Sequence, residues 1–190
     1  MRHAFVIAIA IVLALASYGC GDGGPPRSAV PGPSATPTSQ TALGETPGLP
    51  DLTVSAGGES VTAGVGTYCW SGQGRGLCVD KVGVPTPPKA LVATVGTSLT
   101  ARLSKGTPRE VSAHASPLAA DATPTSEGRD DVFWESLGEG EELPLETLGR
   151  ELSLTTTNLA PGRYVVAISV FFERGGDAQY GVLLELGPEG

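Results

Sequence analysis

From Asp51 onward, short β-prone runs alternate with turns that contain glycine or proline, at a spacing of about ten residues. Leu99, Ala101 and Leu103 fall on one face of such a run, as side chains do in a half-buried strand. The run Arg163–Glu173 is apolar on both faces, which is typical of a central strand covered on at least one side. This pattern predicts an all-β domain.

The helical alternative finds little support in the same region. The segment Glu141–Leu152 has the nearest pattern, but Pro144 and Gly149 interrupt it. Many short strands with frequent turns are typical of an antiparallel sandwich or barrel, and we predict the sandwich. The clearest predicted strands are Ala90–Val95, Ser98–Leu103, Arg109–Ala115, Asp131–Ser136, Arg150–Thr157, Arg163–Glu173 and Tyr180–Leu186.

Residues 1–20 have the three-part organisation of a secretory signal peptide. Arg2 is followed by an apolar run from Ala4 to Ala16 and then by small and polar residues up to Cys20. The apolar run is shorter than the roughly 20 residues that a membrane-spanning helix needs. We therefore expect a cleaved signal rather than a permanent span.

The pair Gly19–Cys20 resembles the lipobox of bacterial lipoproteins, in which a small residue precedes a cysteine that receives a diacylglyceryl group before cleavage. The resemblance implies that Cys20 is lipidated. It also implies an exported chain, anchored by lipid in the cell membrane and facing outside the cytoplasm. Ordinary cleavage nearby, which would leave Cys20 as a free thiol, is the alternative.

Residues 21–50 have the composition of a linker, because proline, glycine, serine, threonine and alanine dominate and charge is sparse. The segment therefore has little apolar surface to bury, too little to offset the conformational entropy that it would lose on ordering. We expect a disordered, semi-rigid tether between the lipid and the folded domain.

Residues 51–190 have the length of one domain. Its segment "LAPGRYVV" resembles the approach to the penultimate strand in fibronectin type III and other immunoglobulin-like domains, through Leu159, Pro161, Gly162 and Tyr164. The resemblance implies an immunoglobulin-like sandwich with a tyrosine corner, in which the Tyr164 hydroxyl bonds back to the turn. Together with "GTYCW…LCVD", the segment is also similar to bacterial envelope lipoproteins of uncharacterised activity.

Cys69 and Cys78 flank the glycine-rich loop "SGQGRG", and the residues beside them have the pattern of two strand ends. In an exported chain with Cys20 lipidated, these two cysteines are left to pair as a disulfide. A zinc site needs further ligands, and only His114 remains after signal removal. A thioredoxin-type redox site needs a C-x-x-C spacing. We predict a disulfide clamp, shielded from reductant by Tyr68 or Trp70.

No catalytic constellation is recognisable in the sequence, so we expect no enzyme activity and no cofactor. His114 is the one histidine available to a serine triad, and no G-x-S-x-G motif accompanies it. Carboxylates are concentrated in the loops at Asp121, Glu127, Asp130, Asp131, Glu135, Glu139, Glu141 and Glu142. They lack the spacing of a calcium loop, and we expect them to be solvated rather than to bind metal.

Two functional classes remain. The first is a non-catalytic envelope module that binds a ligand, a partner protein or a wall polymer, and the second is a metal-dependent hydrolase that uses the acidic loops. The formal net charge of −8 and the lack of a basic stripe argue against nucleic acid as a partner. An acidic body is also repelled by anionic headgroups, so contact with the membrane is expected through the lipid alone. We favour the binding module.

Overall fold

The computed structural model of the protein describes residues 48–72, 75–127 and 131–189. Fourteen strands and no helix occur within these ranges. None of the described segments forms a helix long and apolar enough to cross a membrane. The strands are β1 Leu52–Ala56, β2 Glu59–Thr62, β3 Gly64–Gly72, β4 Arg75–Val79, β5 Leu91–Thr94, β6 Ser98–Leu103, β7 Pro108–Pro117, β8 Ser126–Glu127, β9 Val132–Phe133, β10 Glu141–Glu142, β11 Leu145–Leu148, β12 Glu151–Thr155, β13 Gly162–Phe172 and β14 Gly176–Gly187.

The strands form two main sheets and one small ladder. The first sheet has five strands in the order β11-β12-β6-β1-β2, and all its pairs are antiparallel. The second sheet has seven strands, with the order β10-β7-β13-β14-β3-β4 and β5 added beside the end of β14. Its pairs are antiparallel except that between β5 and β14, which is parallel. Strands β8 and β9 pair with each other, and Val132 of β9 also forms an isolated antiparallel bridge with Thr86.

One hydrophobic core joins the inner faces of the two main sheets. The first sheet contributes side chains such as Leu52, Leu99 and Leu152, all fully buried. The second sheet contributes Ile168 and Tyr180, among others. Because both sheets supply alternate residues to the same cluster, the arrangement is sandwich-like, and the all-β prediction is confirmed.

Part of the outer face of the second sheet is covered as well. Leu118, Val165 and Leu183 form a second buried cluster there, and Val84 and Trp134 from connecting segments pack against it. The prediction that Arg163–Glu173 is a central, covered strand is confirmed, because β13 lies between β7 and β14 with apolar contacts on both faces.

Several boundaries differ from those expected. Residues 177–179, which precede the expected strand Tyr180–Leu186, belong to β14, and only Val132–Phe133 of the expected strand Asp131–Ser136 forms a strand. Leu49 packs against the core and Pro50 is buried, although both were assigned to the linker. The folded part therefore reaches back at least to Leu49, and the Tyr180 hydroxyl of the last strand donates a hydrogen bond to the Pro50 carbonyl. The expected signal and the remaining linker lie outside the described residues.

The hairpin of β1 and β2 was not expected from the sequence. Its turn is Gly57-Gly58, with φ angles of 56° and 88°. Two successive residues of positive φ make the turn whose twist suits a two-residue β-hairpin, and glycine adopts them without steric cost.

Candidate functional site

One row of directly paired residues crosses five strands of the second sheet. Phe171 of β13 pairs with Glu110 of β7 on one side and with Asp177 of β14 on the other. Asp177 pairs in turn with Cys69, and Cys69 with Cys78. Paired residues share a face of a sheet, so this row lies on the outer face, away from the core.

Two further rows extend this surface. Ser169 of β13 pairs with Ser112 of β7 and with Gln179 of β14, and His114 of β7 pairs with Ala167. These side chains are exposed or half-buried. We call this surface the open face, and it consists of Glu110, Ser112, His114, Ser169, Phe171, Asp177 and Gln179.

The position of the tyrosine at the start of β13 shows which residues of this strand lie on the open face. The Tyr164 hydroxyl donates a hydrogen bond to the carbonyl oxygen of Ala160 over 2.8 Å, as the predicted tyrosine corner requires. Tyr164 itself is buried and faces the core. Since side chains alternate along a strand, Phe172 also faces the core and Phe171 faces solvent, with 42% of its surface exposed.

The polar groups of the open face have no partners within the described residues. No hydrogen bond or ion pair joins the side chains of Glu110, His114, Asp177 or Gln179 to another described residue. Acceptors and donors on this surface are therefore available to a bound molecule. Phe171 adds an apolar contact in their midst.

Two connecting segments, residues 84–86 and 132–134, limit the open face on one side, and we call them the wall. The backbone of Thr86 forms two hydrogen bonds with Val132, and the Trp134 indole donates to the Thr86 hydroxyl over 3.0 Å. The guanidinium of Arg163 lies 4.8 Å from the Trp134 ring centroid. This separation is within cation–π range, so the wall is held by polar contacts as well as by the second apolar cluster.

Small residues let the wall approach the sheet. A Cβ on Gly64 or Gly181 would lie 2.5 or 2.2 Å from the carbonyl oxygen of Pro85, which is closer than real contacts allow. Lys81 also connects the wall to the sheet. Its ammonium donates a hydrogen bond to the Val65 carbonyl of β3 over 2.6 Å and forms an ion pair with Asp131 at 3.1 Å.

The two predicted disulfide cysteines meet at the edge of the open face. The sulfur atoms of Cys69 and Cys78 are 2.13 Å apart, at disulfide-bonding distance, between directly paired residues of β3 and β4. Both residues are exposed. The expected shielding by Tyr68 or Trp70 is wrong, because alternation along β3 turns both rings to the core face. Trp70 packs edge-on against Phe172 there, with ring centroids 5.2 Å apart.

The acidic loop residues that the structure describes do not form a metal-binding cluster. Within the described residues, no group of three or more His, Cys, Asp or Glu side chains is placed to hold a metal ion. Asp131 is paired with Lys81, and Glu142 is the cross-strand neighbour of His114. His114 is exposed in the middle of β7. The side chain of Glu127 and the whole of Asp130 lie outside the described part, as does Cys20.

A second surface lies on the outer face of the first sheet. A groove of about 550 Å³ runs there, lined by Thr53, Ser55, Thr100, Arg102, Arg150 and Glu151. Some of its groups already have partners, since Arg150 donates to the Ser104 carbonyl over 2.8 Å and the Ser104 hydroxyl accepts a hydrogen bond from the Asp51 backbone N–H over 2.9 Å. This groove also lacks an aromatic side chain. It is the weaker candidate.

A smaller cavity of about 320 Å³ lies beside β7, and Ser112 and Glu142 contribute to its lining. Leu143, Pro144 and Leu145 supply much of its apolar lining.

Sequence reasoning did not identify the open face. Phe171 was part of a run described only as apolar on both faces. The signal that identifies it is its odd spacing from Tyr164, because Tyr164 faces the core and every second residue along the strand does the same.

No protein-family model, curated protein or solved structure matches this chain. A functional assignment therefore has to come from the residues of the site.

Proposed function

We propose that this chain is an exported, lipid-anchored and non-catalytic binding module, and that the open face is its binding surface. The observation that carries the proposal is the set of unpartnered polar side chains around the exposed ring of Phe171. Binding surfaces combine an aromatic anchor with hydrogen-bonding groups that have no internal partner.

Export is supported by two independent features. The signal-like segment and the pair Gly19–Cys20 are the first. The second is that Cys69 and Cys78 are exposed at disulfide-bonding distance. A disulfide in that position persists in oxidising compartments and is reduced in the cytosol.

An immunoglobulin-like topology is the finer fold assignment that we propose. The order β1-β6-β12-β11 corresponds to strands A-B-E-D of such domains, and β7-β13-β14 corresponds to C-F-G. The hydrogen bond from Tyr164 to Ala160 lies where a tyrosine corner is expected. In this assignment, β2, β3 and β4 are an insertion after the first strand, and they carry the cysteine pair.

A binding role fits the open face better than a hydrolytic one. His114 has Ala167 and Glu142 as cross-strand neighbours, and no serine hydroxyl in the described ranges is hydrogen-bonded to it. Nucleophilic catalysis needs a base within hydrogen-bond reach of its nucleophile. The carboxylates at Glu110 and Asp177 lie on either side of Phe171, which separates them.

Site-specific photocrosslinking in intact cells tests the proposal. A photoreactive residue replaces Ser169 at the centre of the open face or, as the matched control, Ser153 at the centre of the opposite outer face. Both serines are half-buried strand residues. We expect a discrete crosslinked product from position 169 and none from position 153. Equal products from both positions, or none from either, would contradict the proposal.

A further inference from the structure

The ring of Phe171 lies between two carboxylates. Glu110 and Asp177 are its direct cross-strand neighbours, so their Cα atoms lie within about 5.5 Å of that of Phe171. All three side chains point to solvent from the same face. The ring therefore has a negative charge on each side.

Neither carboxylate is neutralised from within the described part of the chain. The two ion pairs there join Lys81 to Asp131 and Lys89 to Glu59, both away from this row. Glu142 adds a further acid beside His114, and the whole chain is acidic, with a formal net charge of −8. An anionic ligand would be repelled, and a cationic one attracted, already at long range.

An aromatic ring with flanking carboxylates is suited to an organic cation. An ammonium or guanidinium group is attracted to the ring face, and the carboxylates accept charge-assisted hydrogen bonds from its N–H groups. The next row, Ser112, Ser169 and Gln179, offers hydroxyl and amide groups of the kind that pair with a peptide backbone.

We propose that the open face binds a basic protein segment, with a lysine or arginine side chain seated on Phe171 between Glu110 and Asp177. This inference rests on the proposed function and names its partner class. Phe171 exposes 42% of its surface, so the ring is accessible to the cation of a side chain. The backbone of a peptide can also form hydrogen bonds with Ser112, Ser169 and Gln179. These residues lie on three neighbouring strands, which are about 4.8 Å apart.

The test measures binding of an oligolysine peptide to the purified full chain, at low and at raised salt. Phe171→Leu keeps the apolar volume but removes the ring, and we expect about two- to fivefold weaker binding. Glu110→Gln with Asp177→Asn removes both charges, and we expect roughly fivefold weaker binding and less dependence on salt.

Two control variants lie on the edge strand of the other sheet. Glu146→Gln removes an exposed carboxylate and Leu148→Ala an exposed apolar side chain, and both should leave binding unchanged. Equal weakening by Glu146→Gln and by the open-face variants would mean general attraction to an acidic protein and would overturn the inference.

A cationic oligosaccharide, oligoglucosamine, is the competing probe. Binding of the sugar but not of the peptide, lost in Phe171→Leu, would overturn the peptide assignment and leave the proposed function standing. If neither probe binds, the inference fails, while the crosslinking from position 169 decides the proposed function separately.

Discussion

The Tyr180 hydroxyl donates a hydrogen bond to the carbonyl oxygen of Pro50 over 2.7 Å. Tyr180 is fully buried in β14, and Pro50 precedes β1, so the bond ties the start of the folded domain to its last strand. The bond satisfies the buried carbonyl of Pro50 and holds the segment before β1 against the last strand.

Replacement of Tyr180 by phenylalanine tests this contact. Tyr180→Phe leaves the Pro50 carbonyl without its partner, and we expect a loss of about 1–3 kcal/mol in the free energy of unfolding. Chemical denaturation of the full chain at neutral pH measures it. A loss below the error of the measurement would mean that solvent reaches this carbonyl.

The same variant changes the response to alkaline pH. Burial raises the pKa of Tyr180 above its ordinary value of 10.0, and the charge of Asp51 raises it further. The folded state thus holds this proton more tightly than the unfolded state, so stability is complete below about pH 10 and is lost as the pH rises beyond it. Tyr180→Phe should flatten that decline.

Tyr164→Phe is the matched control for the alkaline effect. Burial and then the charge of Glu141 also raise the pKa of Tyr164, but this residue is less enclosed. We expect a smaller change of slope above pH 10 than in Tyr180→Phe. An equal or larger change would contradict the assignment of the effect to Tyr180.

Because Cys69 and Cys78 are exposed, we expect their disulfide to be accessible to reductant. Cys69→Ser with Cys78→Ser should lower the free energy of unfolding by about 2–3 kcal/mol, the value for a loop of this length. Because both cysteines are solvent-exposed, a dithiol should reduce the native wild-type protein without prior unfolding. Thiol titration under native conditions measures this, and protection until the protein melts would contradict the exposed geometry.

Close packing of the wall predicts a position-specific glycine effect. In Gly181→Ala the new methyl would meet the Pro85 carbonyl oxygen and the Val84 side chain. We expect displacement of the wall, a loss of about 1–3 kcal/mol and faster proteolysis within residues 81–90. Gly187→Ala lies in the same strand, where a methyl makes ordinary contacts at 3.7 Å. Similar losses in the two variants would exclude the proposed clash.

Lipidation of Cys20 is a prediction from the sequence and the basis of the proposed anchor. Mass spectrometry of the membrane fraction should find a mature chain that begins at Cys20 with a diacylglyceryl group. Cys20→Ser should abolish the modification and release the protein from membranes. A wild-type chain cleaved elsewhere would remove the anchor from this account.

The all-β class could be predicted because alternation and turn residues are local properties of the sequence. The parallel pairing of β5 could not. Only three residues, 95–97, separate β5 from β6, which belong to different sheets, and such a spacing is equally suited to a hairpin. Which sheet receives a strand depends on contacts with β14, far along the chain.

The open face was missed for a related reason. Alternation indicates which residues of one strand share a face, but the meeting of Glu110, Phe171 and Asp177 depends on the register of three strands. The adjacent pair Phe171-Phe172 also conceals which ring faces the core. The cysteine pairing was easier to predict, since both residues lie on one hairpin.

The measurement that most directly tests the open face as a binding surface is the yield of the position-169 crosslink in cells that carry Phe171→Ala. The anchor ring is lost in this variant, so we predict a strong fall in yield at unchanged protein level and melting temperature. Leu148→Ala, which removes an exposed side chain from the other sheet, should leave the yield as in the wild type. An unchanged yield in Phe171→Ala would contradict the account.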